Sequence, residues 1–304
     1  MRVCIWARPY ETYDIVRAVG CGADALGIET HTLDPLVSSN RRAAIIKSLN
    51  FHVVWSVLYN YSDQIITTCK ACDIPVVVVD SGYLNREKHY SIGIGGINAG
   101  GDFKNADSPA DRFEALGIEI QPMREGGEYV LVAGPHRLEP SLTCDRIEWA
   151  KQVVEKIREH TDKPIVYRPF PGITEQRNPG IEGTELSRKP LEEDLTGATA
   201  LVTHNSNIVV PALLEDIPVF TTGVSIADKV AYKDLSLLSN PDLLKQSNEE
   251  HETDRLQLLH DLAYAQWNLE EISNGDPLKH LGFIADPAPE PAKKRKRRTR
   301  KTKV

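Results

Sequence analysis

The sequence predicts an α/β protein with two doubly wound domains that face a central cleft, because strand and helix patterns alternate in two successive sets. The first set runs from residue 3 to residue 79, and the second begins with a strand near residue 129. The run IPVVVV at 74–79 is continuously apolar, which is typical of a strand buried on both faces of a parallel sheet. A length of 304 residues also favours two domains over one.

In the first set the periodicity predicts alternating strands and helices, and Gly27 fits a helix C-cap. The predicted strands are 3–7, 28–33, 51–58 and 74–79, and the predicted helices are 10–26, 61–72 and 108–116. The glycine-rich segment 91–102, SIGIGGINAGGD, does not fit the spacing of a dinucleotide-binding fingerprint. We therefore expect it to be a loop over the cleft.

Asp80 follows the apolar run 74–79 directly, at the carboxyl end of the strand, where such domains place their ligands. This position makes it the first candidate for a general base. A carboxylate there also fits a turn-forming role, and the sequence leaves both interpretations open. Asp102, in the glycine-rich segment, is the second candidate base.

The second set contains a strand YVLVAG near 129–134, a helix over 145–160 and a strand over 165–169. Proline and paired glycines in 121–129 place the boundary between the domains at 125/126. The expected domains are therefore 1–125 and 126–250. A long helix over 253–273 is expected within a segment 251–284 that packs across both domains.

The segment 198–223 predicts a strand, a polar cluster at 203–207, an apolar helix and a further strand. The amino end of a helix offers free N–H groups and positive dipole to a phosphate, so Ser206 and Asn207 are candidate phosphate contacts. The same residue types also serve as plain helix N-caps, and that alternative stays open.

The composition is that of a globular protein without a membrane span, with 41% hydrophobic and 26% charged residues. The amino-terminal residues lack the pattern of a signal peptide, so we expect a cytoplasmic protein. Five scattered cysteines argue against a disulfide framework. Cys69 and Cys72 have the spacing of a redox or zinc pair, but packing of a helix against a strand is the favoured interpretation.

The charge is distributed unevenly along the chain. Of the 36 Lys and Arg residues, nine fall in the last twelve positions, which leaves 27 against 43 acidic residues and a net charge of −16 before them. Prolines precede this basic segment, so we expect residues 285–304 to be a disordered tail. Lys293 to Lys303 would bind a polyanion such as DNA, an anionic membrane surface or the acidic body of the protein itself.

Two stretches resemble GT-B glycosyltransferases, nearest to capsular polysaccharide (Kdo-like) transferases and related phage-encoded proteins. Ser206, the pair Ala212–Leu213 and the pair Pro218–Val219 match the family pattern of a serine-ending cluster, Glu-Ala-Leu and Gly-x-Pro-Val. Pro211 stands at the glutamate position, and Asp216 stands at the glycine position.

A second motif, Arg-Pro-Phe-Pro at 168–171, resembles the Arg-Pro-His-Pro turn of these enzymes, with Phe170 in place of His. Together the two motifs place the resemblance over about 129–275, so it implies a GT-B fold with a nucleotide-sugar-binding domain at 126–250. The domain at 1–125 would then carry the acceptor.

The resemblance implies a glycosyltransferase that uses a nucleotide sugar as co-substrate and needs no other cofactor. The leaving nucleotide gains negative charge, so donors aimed at its phosphates lower the barrier. The sequence contains no Asp-x-Asp motif, which favours a metal-independent enzyme. The expected nucleotide-sugar contacts are Arg168, Lys189, His204, Asn205, Ser206, Asn207 and, in place of the missing glutamate, Glu215; the expected bases are Asp80 and Asp102.

The basic tail and the phage-encoded relatives together suggest a hydroxymethylated pyrimidine in phage DNA as the acceptor, reached by base extrusion or through a groove. In that case the protein acts in the host cytoplasm. Three alternatives stay open: a transferase for a polysaccharide or glycan, a nonenzymatic DNA-binding protein on the same scaffold, and a nucleotide-sugar epimerase.

Overall fold

A computed structural model describes residues 1–7, 13–57, 59–122, 127–136, 139, 141–171 and 180–284. Within these residues the strands form two sheets, of six and five strands, with helices packed on them. The predicted α/β class with two sheets is confirmed. The predicted disordered tail at 285–304 lies outside the described residues, as does the predicted domain boundary at 125/126.

The first sheet has the strand order β2-β1-β3-β4-β5-β11, and its first four members run parallel. Its strands are β1 (Arg2–Trp6), β2 (Glu29–Leu33), β3 (Phe51–Trp55), β4 (Val76–Ser81), β5 (His89–Ile94) and β11 (Gln266–Asn268). The helices between them are α1 (Tyr13–Ala25), α2 (Ser39–Ser48), α3 (Asn60–Ala71) and α4 (Asp111–Ala115). β5 pairs antiparallel with β4, and β11 pairs antiparallel with β5.

The second sheet is parallel throughout, with the order β10-β9-β6-β7-β8. Its strands are β6 (Tyr129–Ala133), β7 (Ile165–Arg168), β8 (Glu185–Leu186), β9 (Ala198–Thr203) and β10 (Val219–Thr221). The helices are α5 (Arg146–Arg158), α6 (Leu191–Thr196), α7 (Val209–Leu214), α8 (Pro241–Glu250), α9 (Glu252–Tyr264), α10 (Leu269–Ser273) and α11 (Asp276–His280). The strand order reverses between β6 and β9, which makes their carboxyl ends the expected ligand crevice.

Alternating side chains of the central strands fill a core on each face of their sheet. In β1, Val3 and Ile5 pack on one face, and Cys4 and Trp6 pack on the other. The same division holds in β6. Burial on both faces explains why these strands are apolar at successive positions rather than at alternate ones.

The glycine-rich segment 91–102 is not a loop over the cleft, which corrects that prediction. Residues 91–94 belong to β5, and Ile94 pairs with Asp102 through backbone hydrogen bonds in both directions. Gly93 is required because Phe103 packs against it: a Cβ at this position would lie 2.6 Å from the Phe103 ring. The glycine in this strand therefore serves close packing.

The predicted long helix over 253–273 is also wrong, because it divides into α9, β11 and α10. Residues 266–268 extend β5 as an edge strand, with Trp267 opposite Tyr90. Asn268 then begins α10 with a capping box, in which its side chain accepts from the Glu271 amide and the Glu271 carboxylate accepts from the Asn268 amide. The apolar helical spacing in this segment could not reveal the edge strand.

Helix α9 joins the two sheets through one apolar cluster. Leu258, Leu259 and Leu262 pack in a core that contains Leu84 from the first sheet's loop and Leu131 from the second sheet. The carboxyl ends of both sheets thereby face a common space. No helix among the described residues is both long and apolar enough to cross a membrane.

Candidate functional site

A cleft of about 630 Å³ lies between the two sheets. Its first wall is residues 83–87, the tip of the hairpin that joins β4 to β5. Its second wall is formed by the carboxyl ends of β6 and β7, the loop after β9 and one face of α7. The second-wall residues include Ala133, Gly134, Arg168, Pro169, Phe170, Ser206, Asn207, Ile208, Val210, Pro211 and Leu214. A cleft of this size can hold a nucleotide sugar.

Arg168 lies at the carboxyl end of β7 and lines the cleft, but it also forms an ion pair inside the protein. Its Nη1 donates to Asp194 Oδ2 at 2.6 Å and to the Lys189 carbonyl oxygen at 2.6 Å. Asp194 is 1% exposed and also accepts from the Ser187 hydroxyl. Part of the Arg168 charge is therefore offset by Asp194, and the ion pair fixes the guanidinium group at the cleft wall.

Ser206 and Asn207 lie in the turn between β9 and α7, and both line the cleft. The N-cap residue of α7 is Ile208, and Ser206 Oγ accepts from its amide at a long distance of 3.4 Å. Asn207 Oδ1 is shielded from solvent and has no hydrogen-bond partner among the described residues. Asn207 is therefore not an N-cap; it offers an acceptor to a ligand hydroxyl or, after a half-turn of the amide, a donor to a phosphate oxygen.

His204 lies on the other side of the same loop and lines a second groove instead. This His204 groove has a volume of about 660 Å³ and runs between α5 and the carboxyl end of β10. Trp149 Nε1 donates to Thr222 Oγ1 at 2.9 Å, and that hydroxyl lies 2.9 Å from His204 Nδ1. His204 Nε2 lies 2.8 Å from Ser141 Oγ, which donates to Glu139 Oε1 at 2.5 Å.

These contacts define one direction of hydrogen bonding. The Ser141 proton is used on the Glu139 carboxylate, so His204 Nε2–H donates to Ser141 and Nδ1 accepts from Thr222. Burial lowers the pKa of His204, with nearby Lys233 acting in the same direction and Glu139 opposing. These hydrogen bonds require a neutral imidazole, and the lowered pKa of His204 favours the same form.

Glu139 is the carboxylate at the end of this series of hydrogen bonds, and it follows β6 in the sequence. Burial alone would raise its pKa, but hydrogen bonds from the Ser141 hydroxyl and amide and from the Asn205 side chain lower it below the usual range. Asn205 thus orients Glu139 rather than lining either cleft. The arrangement holds an ionised carboxylate in one orientation beside the loop that carries Ser206 and Asn207.

Lys189 and Glu215, two further predicted contacts, do not line the cleft. Lys189 is exposed and meets Arg168 through its backbone carbonyl. Glu215 is the C-cap residue of α7, about 9 Å along the helix axis from its first turn. The structure therefore separates these two side chains from Arg168, Ser206 and Asn207, which it brings together.

Asp80 is the next-to-last residue of β4, beneath the hairpin that forms the first wall of the cleft, and it does not itself line the cleft. Its Oδ1 accepts from the Ser81 amide at 2.7 Å, and Ser56 donates a further hydrogen bond. Burial raises the pKa of Asp80 above its usual range, against the opposing effects of these hydrogen bonds and of Arg86. A half-buried carboxylate of raised pKa near a cleft is suited to proton transfer, so Asp80 stays the first candidate base.

Asp102 lies at the opposite end of the sheet. It pairs with Ile94, which is opposite Val77 at the amino end of β4, about 10 Å along the strand from Asp80. Its carboxylate is exposed and forms an ion pair with Lys104 at 2.5 Å, which lowers its pKa. This placement removes Asp102 from the candidate bases.

Two departures from the family pattern have visible consequences. Pro211, at the glutamate position, faces the cleft and leaves an apolar wall there. Asp216, at the glycine position, has a φ of 53°, a left-handed conformation that glycine adopts easily and that Asp tolerates. Its carboxylate pairs with Arg255 and accepts from Asn248, so this substitution adds a buried ion pair instead of changing the turn.

Sequence reasoning missed Glu139 and the hairpin tip at 83–87. The alternation in HYSIGI at 89–94 is the signal for the antiparallel strand that creates the hairpin, but the glycines of the segment 91–102 obscured that strand. Glu139 carried no signal, because its partner Asn205 lies far along the chain, in the loop after β9. In the part of the chain that is described, no group of three or more His, Cys, Asp or Glu side chains is placed to hold a metal ion.

The two sheets and the cleft between their carboxyl ends define a GT-B fold. The structure matches a KpsC β-Kdo 2,7 transferase of Thermosulfurimonas dismutans with a TM-score of 0.51 at 13% identity, over 91% of this chain and 99% of that chain. This likeness supports the fold, and the resemblance in the sequence motifs agrees with it.

Two further solved structures match with lower scores. A KpsC β-Kdo 2,4 transferase of the same organism has a TM-score of 0.47 at 12% identity, over 79% of this chain and 89% of that chain. The UDP-GlcNAc 2-epimerase of Methanocaldococcus jannaschii, in complex with UDP-GlcNAc and UDP, has a TM-score of 0.31 at 10% identity, over 82% and 97%. No protein-family model and no curated protein sequence matches the chain.

Proposed function

We propose that this protein is a glycosyltransferase that moves a sugar from a nucleotide-sugar donor to a hydroxyl acceptor. The observation that carries the proposal is the cleft between the two sheets, where Arg168, Ser206 and Asn207 share one wall. The GT-B fold and the sequence motifs at 168–171 and 206–219 support the same function. The nucleotide sugar is a co-substrate, and the mechanism needs no further cofactor.

The donor nucleotide lies along the second wall in this proposal. Its phosphates contact the turn at 206–207 and Arg168, whose guanidinium group Asp194 holds in place. As the bond to the sugar breaks, negative charge grows on the leaving phosphate, and groups already oriented towards it stabilise that charge without reorganising. The buried, unpartnered Asn207 oxygen would accept a hydrogen bond from a hydroxyl group of the nucleotide sugar.

In this proposal the acceptor binds on the side of the cleft that the first sheet forms. Asp80 is the proposed base that takes the proton from the acceptor hydroxyl, because its carboxylate lies at the carboxyl end of β4, beside the hairpin. A carboxylate is effective in this role when its pKa is raised towards the working pH. The proposed sugar transfer needs no metal ion.

Substitutions in the turn test the nucleotide site. Asn207→Ala is expected to weaken binding of a nucleoside diphosphate about tenfold, because the ligand loses a hydrogen bond to an oxygen that is shielded from solvent. Ser206→Ala should weaken it by a similar or smaller factor, whereas Ser39→Ala, at the start of helix α2 and outside the cleft, should leave it unchanged. Isothermal titration with the mono- and diphosphates of cytidine, uridine, guanosine and thymidine measures the effect. Equal affinity for wild type and Asn207→Ala would contradict the site.

We propose as the acceptor a hydroxymethylated pyrimidine in phage DNA, which the basic tail would hold by phosphate contacts. Purified protein is incubated with radiolabelled nucleotide sugars and with hydroxymethylated DNA, a glycan or no acceptor. Label on DNA supports this acceptor, and label on the glycan alone rejects it. Conversion of the donor to an isomer without an acceptor would instead indicate an epimerase.

The tail itself is tested by deleting 293–304. We expect the shortened protein to retain turnover with a small hydroxymethyl nucleoside and to lose affinity for DNA, because the tail acts as a tether. Loss of both activities would contradict a tether, and DNA binding by the full chain without any transfer would indicate a nonenzymatic DNA-binding protein.

A further inference from the structure

The tip of the β4–β5 hairpin carries a cation into the cleft from the first sheet. Residues 83–87 form the cleft's first wall, and Arg86 lies near the middle of this tip. We propose that Arg86 binds the phosphate of the donor nucleotide opposite Arg168, so that the anion is held between the two sheets. This inference rests on the proposed function and adds a binding residue to it.

Backbone hydrogen bonds define the turn at the hairpin tip and fix the backbone position of Arg86. Asn85 adopts a left-handed φ of 47°, which Asn tolerates better than most residues. The Lys88 amide donates to the Asn85 carbonyl at 2.9 Å, and the Gly82 amide donates to the His89 carbonyl at 2.9 Å. These bonds close the turn around Arg86.

A side chain from the carboxyl-terminal part of the chain holds the base of this turn. Gln266, in β11, is 1% exposed. Its Oε1 accepts from the Tyr83 amide at 2.7 Å and from the Leu84 amide at 2.8 Å, and its Nε2 donates to the Leu84 carbonyl at 2.8 Å. Buried backbone groups satisfied in this way hold one conformation, so the tip is fixed before a ligand arrives.

The charges in the cleft single out Arg86. The charged side chains that line it are Arg86, Glu87, Arg168 and Glu192. Arg168 is paired with buried Asp194, whereas Arg86 is exposed and forms no hydrogen bond or ion pair with another described residue. Its electrostatic neighbours are Asp80 and Tyr83 at the base of the hairpin. Arg86 is therefore the cation with the most bonding capacity left for a ligand.

The chemistry of the guanidinium group determines the class of ligand. Its planar fork of N–H donors matches two oxygens of one phosphate, and such charge-assisted pairs are among the stronger hydrogen bonds. A phosphate between Arg86 and the turn at 206–207 would contact both walls of the cleft. Residues from both sheets would then contribute to the affinity for the donor nucleotide.

The test compares Arg86→Ala, Arg86→Lys and the control Lys88→Ala by nucleotide titration at two salt concentrations. Lys88 is exposed on the same hairpin and does not line the cleft. Arg86→Ala is expected to weaken binding of the tightest nucleotide in the panel about 10- to 100-fold. Arg86→Lys should fall between Ala and wild type, and Lys88→Ala should remain within about twofold of wild type.

The outcomes separate this inference from the function on which it rests. If the wild type binds none of the nucleotides, the proposed function fails. If the wild type binds and Arg86→Ala binds equally well, only the role of Arg86 fails. Equal losses in Arg86→Ala and Lys88→Ala would mean a general effect of charge, and would also overturn a specific contact. Thermal unfolding of each variant confirms that the hairpin substitutions leave the protein folded.

Discussion

Gly22→Ala is expected to lower the free energy of unfolding by about 3 kcal/mol, the upper part of the usual range for overpacking. A Cβ on Gly22 would lie 2.1 Å from the Ile272 carbonyl oxygen and 3.0 Å from Gly275 Cα. Both are backbone atoms, so no side chain can rotate away, and α1 must separate from α10. The loss of packing between these helices is the source of the predicted destabilisation.

Gly20→Ala is the matched control, because Gly20 lies in the same helix. Its Cβ would meet Ile5 Cδ1 at 3.9 Å, an ordinary contact. Since alanine favours a helix over glycine, this variant should gain about 0.5–1 kcal/mol. Urea denaturation of the two variants measures both effects. Similar stability of Gly22→Ala and Gly20→Ala would contradict the close packing of α1 on α10.

Asp80→Asn is expected to reduce turnover about 100-fold or more while leaving nucleotide affinity unchanged. A positioned general base contributes a factor of this order, and the amide retains the size of the carboxylate but cannot accept a proton. Initial rates and nucleotide titration on the same preparation separate the two quantities. Asp102→Asn is the control, because Asp102 is exposed at the other end of the sheet, and it should turn over at the wild-type rate.

The role of Asp80 as a base also predicts how turnover changes with pH. Burial raises the pKa of Asp80, and a base acts in its ionised form, so activity should fall as the pH drops through that raised value. The decline should therefore begin at a higher pH than for an ordinary Asp, and it should be absent from the residual activity of Asp80→Asn. An equal loss of affinity and turnover in Asp80→Asn would instead indicate a structural role.

Local sequence patterns were sufficient to predict the helices and strands that have a regular pattern of burial. The valines of β4 predicted a buried parallel strand, and the helix predicted over 145–160 is confirmed as α5, which Asp145 caps by accepting from the Ile147 and Glu148 amides. Helix α2 was missed because its sequence, SNRRAAIIKS, has its apolar residues in one run, AAII, instead of at helical spacing, and its buried residues include Arg42. β11 was missed because three residues become a strand only through pairing with β5.

The candidate site could be predicted only where its residues follow a strand end. Ser206 and Asn207 were found in this way, Arg168 was found through the resemblance of 168–171 to the Arg-Pro-His-Pro turn, and the cleft brings the three together. The partners that change their behaviour come from elsewhere: Asp194 takes part of the Arg168 charge, and Ser141 directs His204 and Glu139. The hairpin tip enters the cleft because Gln266, far along the chain, holds it.

The structure of a complex with the tightest nucleotide in the panel tests the central claim most directly. We expect phosphate oxygens within about 3 Å of donors in the turn at 206–207, with Arg168 and Arg86 on opposite sides of the anion. A nucleotide bound in the His204 groove, or elsewhere outside the cleft between the sheets, would contradict the proposed site.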